Sequence, residues 1–299
     1  MKIKTRRYYI YYLALSAGFF VCILPLRFGL YLAELAGKIG FRMLSRERRT
    51  AVGNLRIAFP EKSDSEINGI AERAFVNLCK NGIEFLNTYK LNKQNIKEWV
   101  DEKGFENVDR SLERGKGTLL VACHLGNWEL IPFCFAFRGY ASTIIVRQLY
   151  FYKYENIVNR VRRSKGVKIM YRDESPRKIL RVLKNNESIG MLADQDMDSL
   201  EGVFVDFFGR PTYTLVAPIA IGLATGASVL PCFMFRENGR HKFVIEAPLE
   251  IEQGKDKAET VKINVQKWSK LLESYVRRYP DQWVWIHKRW KTQPGQKIK

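Results

Sequence analysis

Leu119-Leu120-Val121-Ala122-Cys123-His124-Leu125-Gly126-Asn127-Trp128-Glu129 is the stretch on which the reading of this chain turns. An apolar, β-prone run stops at His124. Gly126 and Asn127 then supply turn or cap chemistry, and Trp128-Glu129-Leu130-Ile131 can open a helix. The passage reads as strand, turn and helix, with an imidazole and a carboxylate where the strand ends. The chain has only three histidines. Because a turn separates them, His124 and Glu129 can fold back on each other, so that Glu129 accepts the proton of one ring nitrogen and leaves the other as a base. A structural histidine at a strand end is the plainer reading of the same two residues, since His-x4-Glu alone is a weak pattern.

The same alternation extends on both sides. Further apolar runs lie at Ser142 to Val146, Ser188 to Ala193, Val229 to Phe235 and Phe243 to Glu246. Helical patterns fall around Asn156 to Arg163, from Pro176 to Lys184 with Ser175 as cap, and from Leu215 to Thr225. A last helix carries Val261, Val265, Trp268, Leu272 and Tyr275 on one face and stops before Pro280. Upstream, Ser63 and Glu66 form a capping-box pattern ahead of Ile67, Ile70, Ala74, Phe75 and Leu78, followed by a charged connector from Lys93 to Arg114. This order predicts an α/β fold with a mainly parallel sheet flanked by helices.

The N-terminus carries Lys2, Lys4, Arg6 and Arg7 ahead of residues 8–26, which have no formal charge. That is close to the minimum for spanning a hydrocarbon core of roughly 30 Å. No small-residue cleavage site follows, so a retained segment is expected rather than a signal peptide. With Tyr8, Tyr9, Tyr11, Tyr12 and a second apolar stretch from Phe28 to Leu44, it can equally lie in the interface. Residues 1–44 are therefore read as a membrane anchor, and 45–299 as the catalytic domain with a helical part at its start. Arg27, Lys38, Arg42, Arg46, Arg48, Arg49 and Arg56 follow the apolar segment, which favours a cytoplasmic body. A net charge of +19, from 50 Lys+Arg against 31 Asp+Glu, points to an anionic partner. The five cysteines show no CxxC spacing, so neither a zinc site nor a disulfide framework is indicated.

Three more stretches stand out. Arg147 follows an apolar run, at the strand end where open α/β sheets build their sites. Asp194-Gln195-Asp196 follows another, and residues 202–211 read as an apolar loop or hairpin. Each has a bland reading: Arg147 as a surface ion pair, the aspartates as turn formers, the Phe-rich loop as core.

Taken in order, these blocks resemble the bacterial lipid A biosynthesis acyltransferases. The resemblance rests on Asn54-Leu55-Arg56-Ile57-Ala58-Phe59-Pro60-Glu61, His124-x4-Glu129, Arg147, Arg162, Asp194-Gln195-Asp196, Phe207-Phe208-Gly209-Arg210, Val229-Leu230-Pro231 and the closing Gln282-Trp283-Val284-Trp285-Ile286-His287-Lys288-Arg289-Trp290-Lys291. It implies a glycerolipid-acyltransferase-type domain at the bacterial inner membrane, with its site facing the cytoplasm. Acyl carrier protein thioester is the implied donor, a phosphorylated glycolipid the acceptor, and neither metal nor cofactor is required.

The residues support the same chemistry. Transfer from a thioester to a hydroxyl needs a base, for which His124 serves with Glu129 orienting it, and no nucleophile, since the thioester is already activated. An acyl-Cys123 intermediate is disfavoured because strand neighbours point to opposite faces. Arg147 and Arg162 suit phosphate. Asp194 and Asp196 suit the arginines or sugar hydroxyls, a divalent metal being the alternative, and Asn127 completes the substrate-binding set. Trp283 and Trp285 read as core and His287 as structural. The rivals are transfer to a lysophospholipid or glycosylated phosphoinositide, an inactive scaffold, and a membrane-tethered nucleic-acid binder, against which stands the lack of any helix-turn-helix, RNP or zinc pattern.

Overall fold

The computed structural model describes residues 6–296. Its helical N-terminal part comprises α1 (Arg6–Ile23), α2 (Leu26–Met43), α3 (Ser45–Ala58) and α4 (Asp64–Asn87). The α/β part continues with α5 (Ile96–Trp99), β1 (Val100–Lys103), α6 (Phe105–Leu112), β2 (Thr118–Ala122), α7 (Ile131–Phe137), β3 (Ser142–Val146), α8 (Tyr152–Ser164), β4 (Lys168–Tyr171), α9 (Pro176–Lys184) and β5 (Ser188–Leu192). A hairpin of β6 (Gly202–Phe207) and β7 (Arg210–Leu215) follows, then α10 (Ala217–Thr225), β8 (Ser228–Glu237), β9 (Arg240–Ile245) and α11 (Lys257–Arg278).

Seven strands form one sheet in the order β1-β9-β8-β2-β5-β3-β4, parallel except between β8 and β9. The alternation in β2 splits its side chains between two cores. Leu119 and Val121 join one with α3, α4, α10 and α11, while Leu120 and Ala122 join the other with α6 and α7. This is the mainly parallel, helix-covered sheet that the alternating pattern predicts. The connector from Lys93 to Arg114 is not merely charged: it holds β1, an edge strand in which only Val100 is buried, and α6. The capping box of α4 forms as expected, with the Ser63 hydroxyl accepting from the Glu66 amide and the Glu66 carboxylate accepting from the Ser63 amide.

The N-terminus departs from the spanning form of the expected anchor. Among the described residues no helix is long and apolar enough to cross a membrane. Pro25 ends the apolar run's helix, leaving α1 with 18 residues, about 27 Å at 1.5 Å per residue. Lys2 and Lys4 lie outside the described residues. α2 is built into the body: a Cβ at Gly37 would come 2.4 Å from the Cα of Val76, so only glycine permits this approach of α2 to α4.

A buried ionic cluster joins α4 to the sheet. Glu84 on α4 is 3% exposed and accepts from both terminal nitrogens of Arg236 (2.6 and 3.1 Å), from His241 Nε2 (2.9 Å) and from the Asn127 amide (2.8 Å). Burial alone would raise its carboxyl; the charges and hydrogen bonds of His241 and Arg236 win, holding it down at about 2. Because the folded value lies below the ordinary one, the stabilisation is complete above about pH 4.5 and is lost as the pH falls through about 2. Glu84→Ala should lower unfolding free energy by about 3–5 kcal/mol, since it leaves the half-buried Arg236 without its counter-charge and the buried Asn127 amide without its acceptor. Denaturant titration at pH 7 measures this; a loss below about 1 kcal/mol would refute the role given to Glu84.

Candidate active site

The register of β2 and β5 builds the centre of the site. Ala122 pairs with Leu192, and the ladder continues through the Ala193 amide, which donates to Ala122 O (3.0 Å). Two residues past each strand, His124 and Asp194 therefore stand opposite each other. His124 Nδ1 lies 2.7 Å from Asp194 Oδ1, and the His124 amide donates to Oδ2 (2.8 Å). Trp283 Nε1 also donates to Oδ2 (2.8 Å). Asp194 is 2% exposed. Burial would raise its carboxyl, but the adjoining imidazole and these three donors hold it well below the usual carboxylate range. An ionised carboxylate only accepts, so it fixes the proton of His124 on Nδ1 and leaves Nε2 as the basic nitrogen.

The His124 loop is braced from behind. Gly126 has a φ of 54° and its Cβ position lies 2.4 Å from Met234 O, so any side chain there would collide with β8. Its amide donates to Gln282 O (3.0 Å), its carbonyl accepts from Asn81 (2.5 Å), and Val284 donates to His124 O (3.2 Å). Asn54 on α3 holds the same C-terminal segment through the Trp285 and His287 carbonyls.

The roles expected of five residues need correcting. Glu129 does not meet His124: Arg162 on α8 binds both of its oxygens, at 3.0 and 2.6 Å, because the turn directs the carboxylate toward α8 and not back onto the ring. Arg162 is accordingly held by Glu129 and does not present a free guanidinium for phosphate. Asn127 is 1% exposed and donates to Glu84, so it supports the loop from inside and cannot reach a substrate. Asp194 serves His124, not the arginines or a sugar. Asp196 accepts from the amide and hydroxyl of Thr292 (2.8 and 2.7 Å), tying down the C-terminal segment. The oxygens of both aspartates thus accept from protein donors. Cys123 is 1% exposed in the core beneath the loop, and burial pushes its thiol well up, away from the thiolate that nucleophilic attack requires.

Two residues gain a place that the sequence did not announce. The Gln195 amide nitrogen lies 3.3 and 3.1 Å from the two ring nitrogens of His124 and 2.8 Å from His287 Nε2. Near-equal distances to the two ring nitrogens put it off the axis of the Nε2 lone pair, so it steadies the ring without consuming the base. Burial, then the nearby His124, lowers the His287 pKa, which keeps it neutral and able to accept from Gln195. Position between two aspartates was the only sequence signal for Gln195. Trp283 is core, as expected, and also holds Asp194.

His124 opens on a cavity of about 470 Å³. Its polar wall includes Glu129, Arg147, Glu155, Arg162 and Gln195, and its apolar wall includes Ile145, Val158, Met191, Leu200 and Ile221. Arg147 is exposed at the end of β3 and makes no ion pair with any described residue. A narrower apolar pocket of about 70 Å³ lies behind Trp128, Glu129 and Arg162. A base held in one tautomer beside a mixed apolar and cationic cavity suits proton abstraction from a hydroxyl on an amphiphile.

Comparison with known proteins points the same way. The model of a family described as bacterial lipid A biosynthesis acyltransferase matches residues 1–292. The chain is 23% identical to the lipid A biosynthesis palmitoleoyltransferase of Escherichia coli (strain K12), over 96% of this chain and 93% of that one. Identity to the lauroyltransferase of the same strain is 24% with the same coverage. The phosphatidylinositol mannoside acyltransferase of Mycobacterium tuberculosis (strain ATCC 25618 / H37Rv) is 27% identical over 62% of this chain and 58% of that protein.

The two carboxylates separate by substitution. Asp194→Asn should cut turnover on the order of 10³- to 10⁴-fold, because the amide offers a donor where the ring needs an acceptor and favours the wrong tautomer. Glu129→Gln keeps the ring in place and should lose at least about tenfold less. Steady-state rates of the two purified variants decide it; equal losses would put Glu129 back on the imidazole.

Proposed function

This chain belongs to the bacterial lipid A biosynthesis acyltransferase family, and we propose that it moves a fatty acyl chain from an acyl carrier protein thioester to a hydroxyl of a lipid A precursor. The observation that carries this reading is the Asp194-oriented His124 opening on a cavity with apolar and cationic walls. As the acceptor oxygen adds to the thioester carbonyl, His124 Nε2 takes its proton. Collapse of the tetrahedral oxyanion breaks the C–S bond, and the imidazolium returns the proton to the departing thiolate. General-base help of this kind contributes roughly 10²- to 10⁴-fold. Arg147, exposed and without an ion-pair partner among the described residues, is the phosphate ligand; the Glu129–Arg162 pair shapes the wall. An acidic carrier protein is attracted by the net charge of +19.

His124→Ala should abolish transfer in a folded protein, and lipid A from cells lacking the gene should lack one acyl chain by mass spectrometry. Arg147→Ala should lose about 10- to 150-fold on the phosphorylated acceptor and much less on a dephosphorylated one, as expected for a charge-assisted contact of roughly 1.5–3 kcal/mol. Arg162→Ala should lose equally on both, because its partner is Glu129. Normal turnover of His124→Ala overturns the reading. Preference for a mannosylated phosphoinositide in the same assay would move it to the second acceptor class.

Residues 1–44 form the membrane-contacting part and 45–299 the catalytic domain, working at the cytoplasmic face of the inner membrane with α1 lying in the interface. Tyr9, Leu13 and Phe20 on α1 are 73%, 74% and 67% exposed, an apolar surface that water does not stabilise. Because α2 packs on α4, the informative truncation removes residues 1–24 only. It should release most of the protein from vesicles of anionic lipid, with a residue of binding that salt removes. Undiminished binding at high salt in a flotation assay would refute attachment through α1.

A further inference from the structure

Resting on that reading, we propose that a second cavity, beneath α1, receives the acyl chains that the lipid acceptor already carries. It measures about 910 Å³ and lies among α1, α2, α4 and α8, with walls that include Leu15, Phe19, Leu32, Ile83, Leu86 and Ile157. This size falls near the top of the range for ligand pockets, whereas close-packed interiors leave voids of about one water molecule.

Two ties hold α1 over the cavity. Near its N-terminal end, Lys153 at the start of α8 donates to the Tyr12 hydroxyl (2.6 Å) and sits over the rings of Tyr8, Tyr11 and Tyr12. At its C-terminal end, the Tyr89 hydroxyl and the Lys90 ammonium both donate to the Cys22 carbonyl (2.8 and 3.1 Å). Between these ties the helix turns one apolar face into the cavity and exposes the other. Such a strap admits chains from an apolar medium at the side.

Continuity with the catalytic cavity selects the occupant. Glu155, Asn159 and Arg162 on α8 line the catalytic cavity, Tyr154 and Ile157 line the apolar one, and Val158 lines both. The two spaces thus meet at Val158. The donor's acyl chain must start with its carbonyl at His124, on the catalytic side of α8. The acceptor, by contrast, brings chains already embedded in the apolar medium that α1 faces.

Gly82 on α4 provides the test. It lines the cavity, a Cβ there would meet nothing within 4 Å, and leucine is a better helix former than glycine, so Gly82→Leu fills the space without straining the fold. With one donor, kcat/KM should fall about tenfold or more for a lipid A precursor with full-length chains and stay unchanged for a short-chain analogue with the same headgroup. Equal effects on the two acceptors overturn the proposal. So does a loss that follows donor chain length, which assigns the cavity to the donor while leaving the transfer reaction intact. Should the wild-type protein transfer to neither acceptor, the functional reading fails and binding decides the cavity. Cys22 and Cys79 both line it, and the other three cysteines are buried. In a Cys22→Ser protein, maleimide labelling of Cys79 should be slowed by phosphatidylcholine vesicles carrying the long-chain precursor, compared with plain vesicles or vesicles carrying the short-chain analogue. No difference among the three overturns the proposal.

Discussion

The buried Asp194 carboxylate is the constraint around which the rest is arranged. A charge removed from water costs several kcal/mol unless every lone pair finds a donor. Here three donors come from two distant parts of the chain, the ring and amide of His124 after β2 and the indole of Trp283 beyond α11, and meet a carboxylate carried by a third, the end of β5. Satisfying one carboxylate thus fixes the strand pairing, the loop and the C-terminal segment relative to each other. The C-terminal segment is held further by Asn54 on α3, by Thr292 on Asp196, and by Arg289, fully buried with its guanidinium donating to Tyr213 O and Thr214 Oγ1. Burial draws the Arg289 pKa down to about 10, still charged at neutral pH.

A second buried carboxylate, Glu84, carries the opposite side of the His124 loop. Its hydrogen bond to Asn127 and the neighbouring bond from Asn81 to Gly126 O leave the loop little freedom. Between the two anionic centres, the loop from His124 to Asn127 is held from both ends. That rigidity suits catalysis by a single base, because a ring misplaced by an ångström loses the alignment on which proton transfer depends. It also explains why the helical N-terminal part cannot be separated from the site: α4 supplies Glu84, and α2 lies against α4 at Gly37.

Most strands and the long helices were legible in the sequence because each depends on a local period. Ser63 and Glu66 announced α4, and the run from Leu119 announced β2. β1 was hidden because an edge strand with one buried residue has no period to display. His124 itself was legible as a polar residue stopping an apolar run. Its partner was not, since nothing near His124 in sequence reveals that β5 will lie beside β2. Proximity along the chain favoured Glu129 over Asp194, seventy positions away. The same non-local pairing consumed Arg162 and Asn127, whose side-chain types suggested substrate contact while their partners, Glu129 and Glu84, sit on other elements.

Arg147 and Arg162 show how partner geometry divides residues that the sequence treats alike. Both are arginines bordering the catalytic cavity. Arg162 meets a carboxylate in a two-point contact, with side chains 14% and 20% exposed, so its charge is already neutralised where the cavity meets the narrow apolar pocket. A neutralised pair there presents no bare charge to the apolar pocket. Arg147 stands at the exposed end of β3, where solvent lowers the cost of leaving a cation unpaired until an anionic group arrives. The site thus grades from an exposed cation through a fixed base to apolar depth. On the proposed reading, the phosphate and hydroxyl of the acceptor and the acyl chain follow the same order.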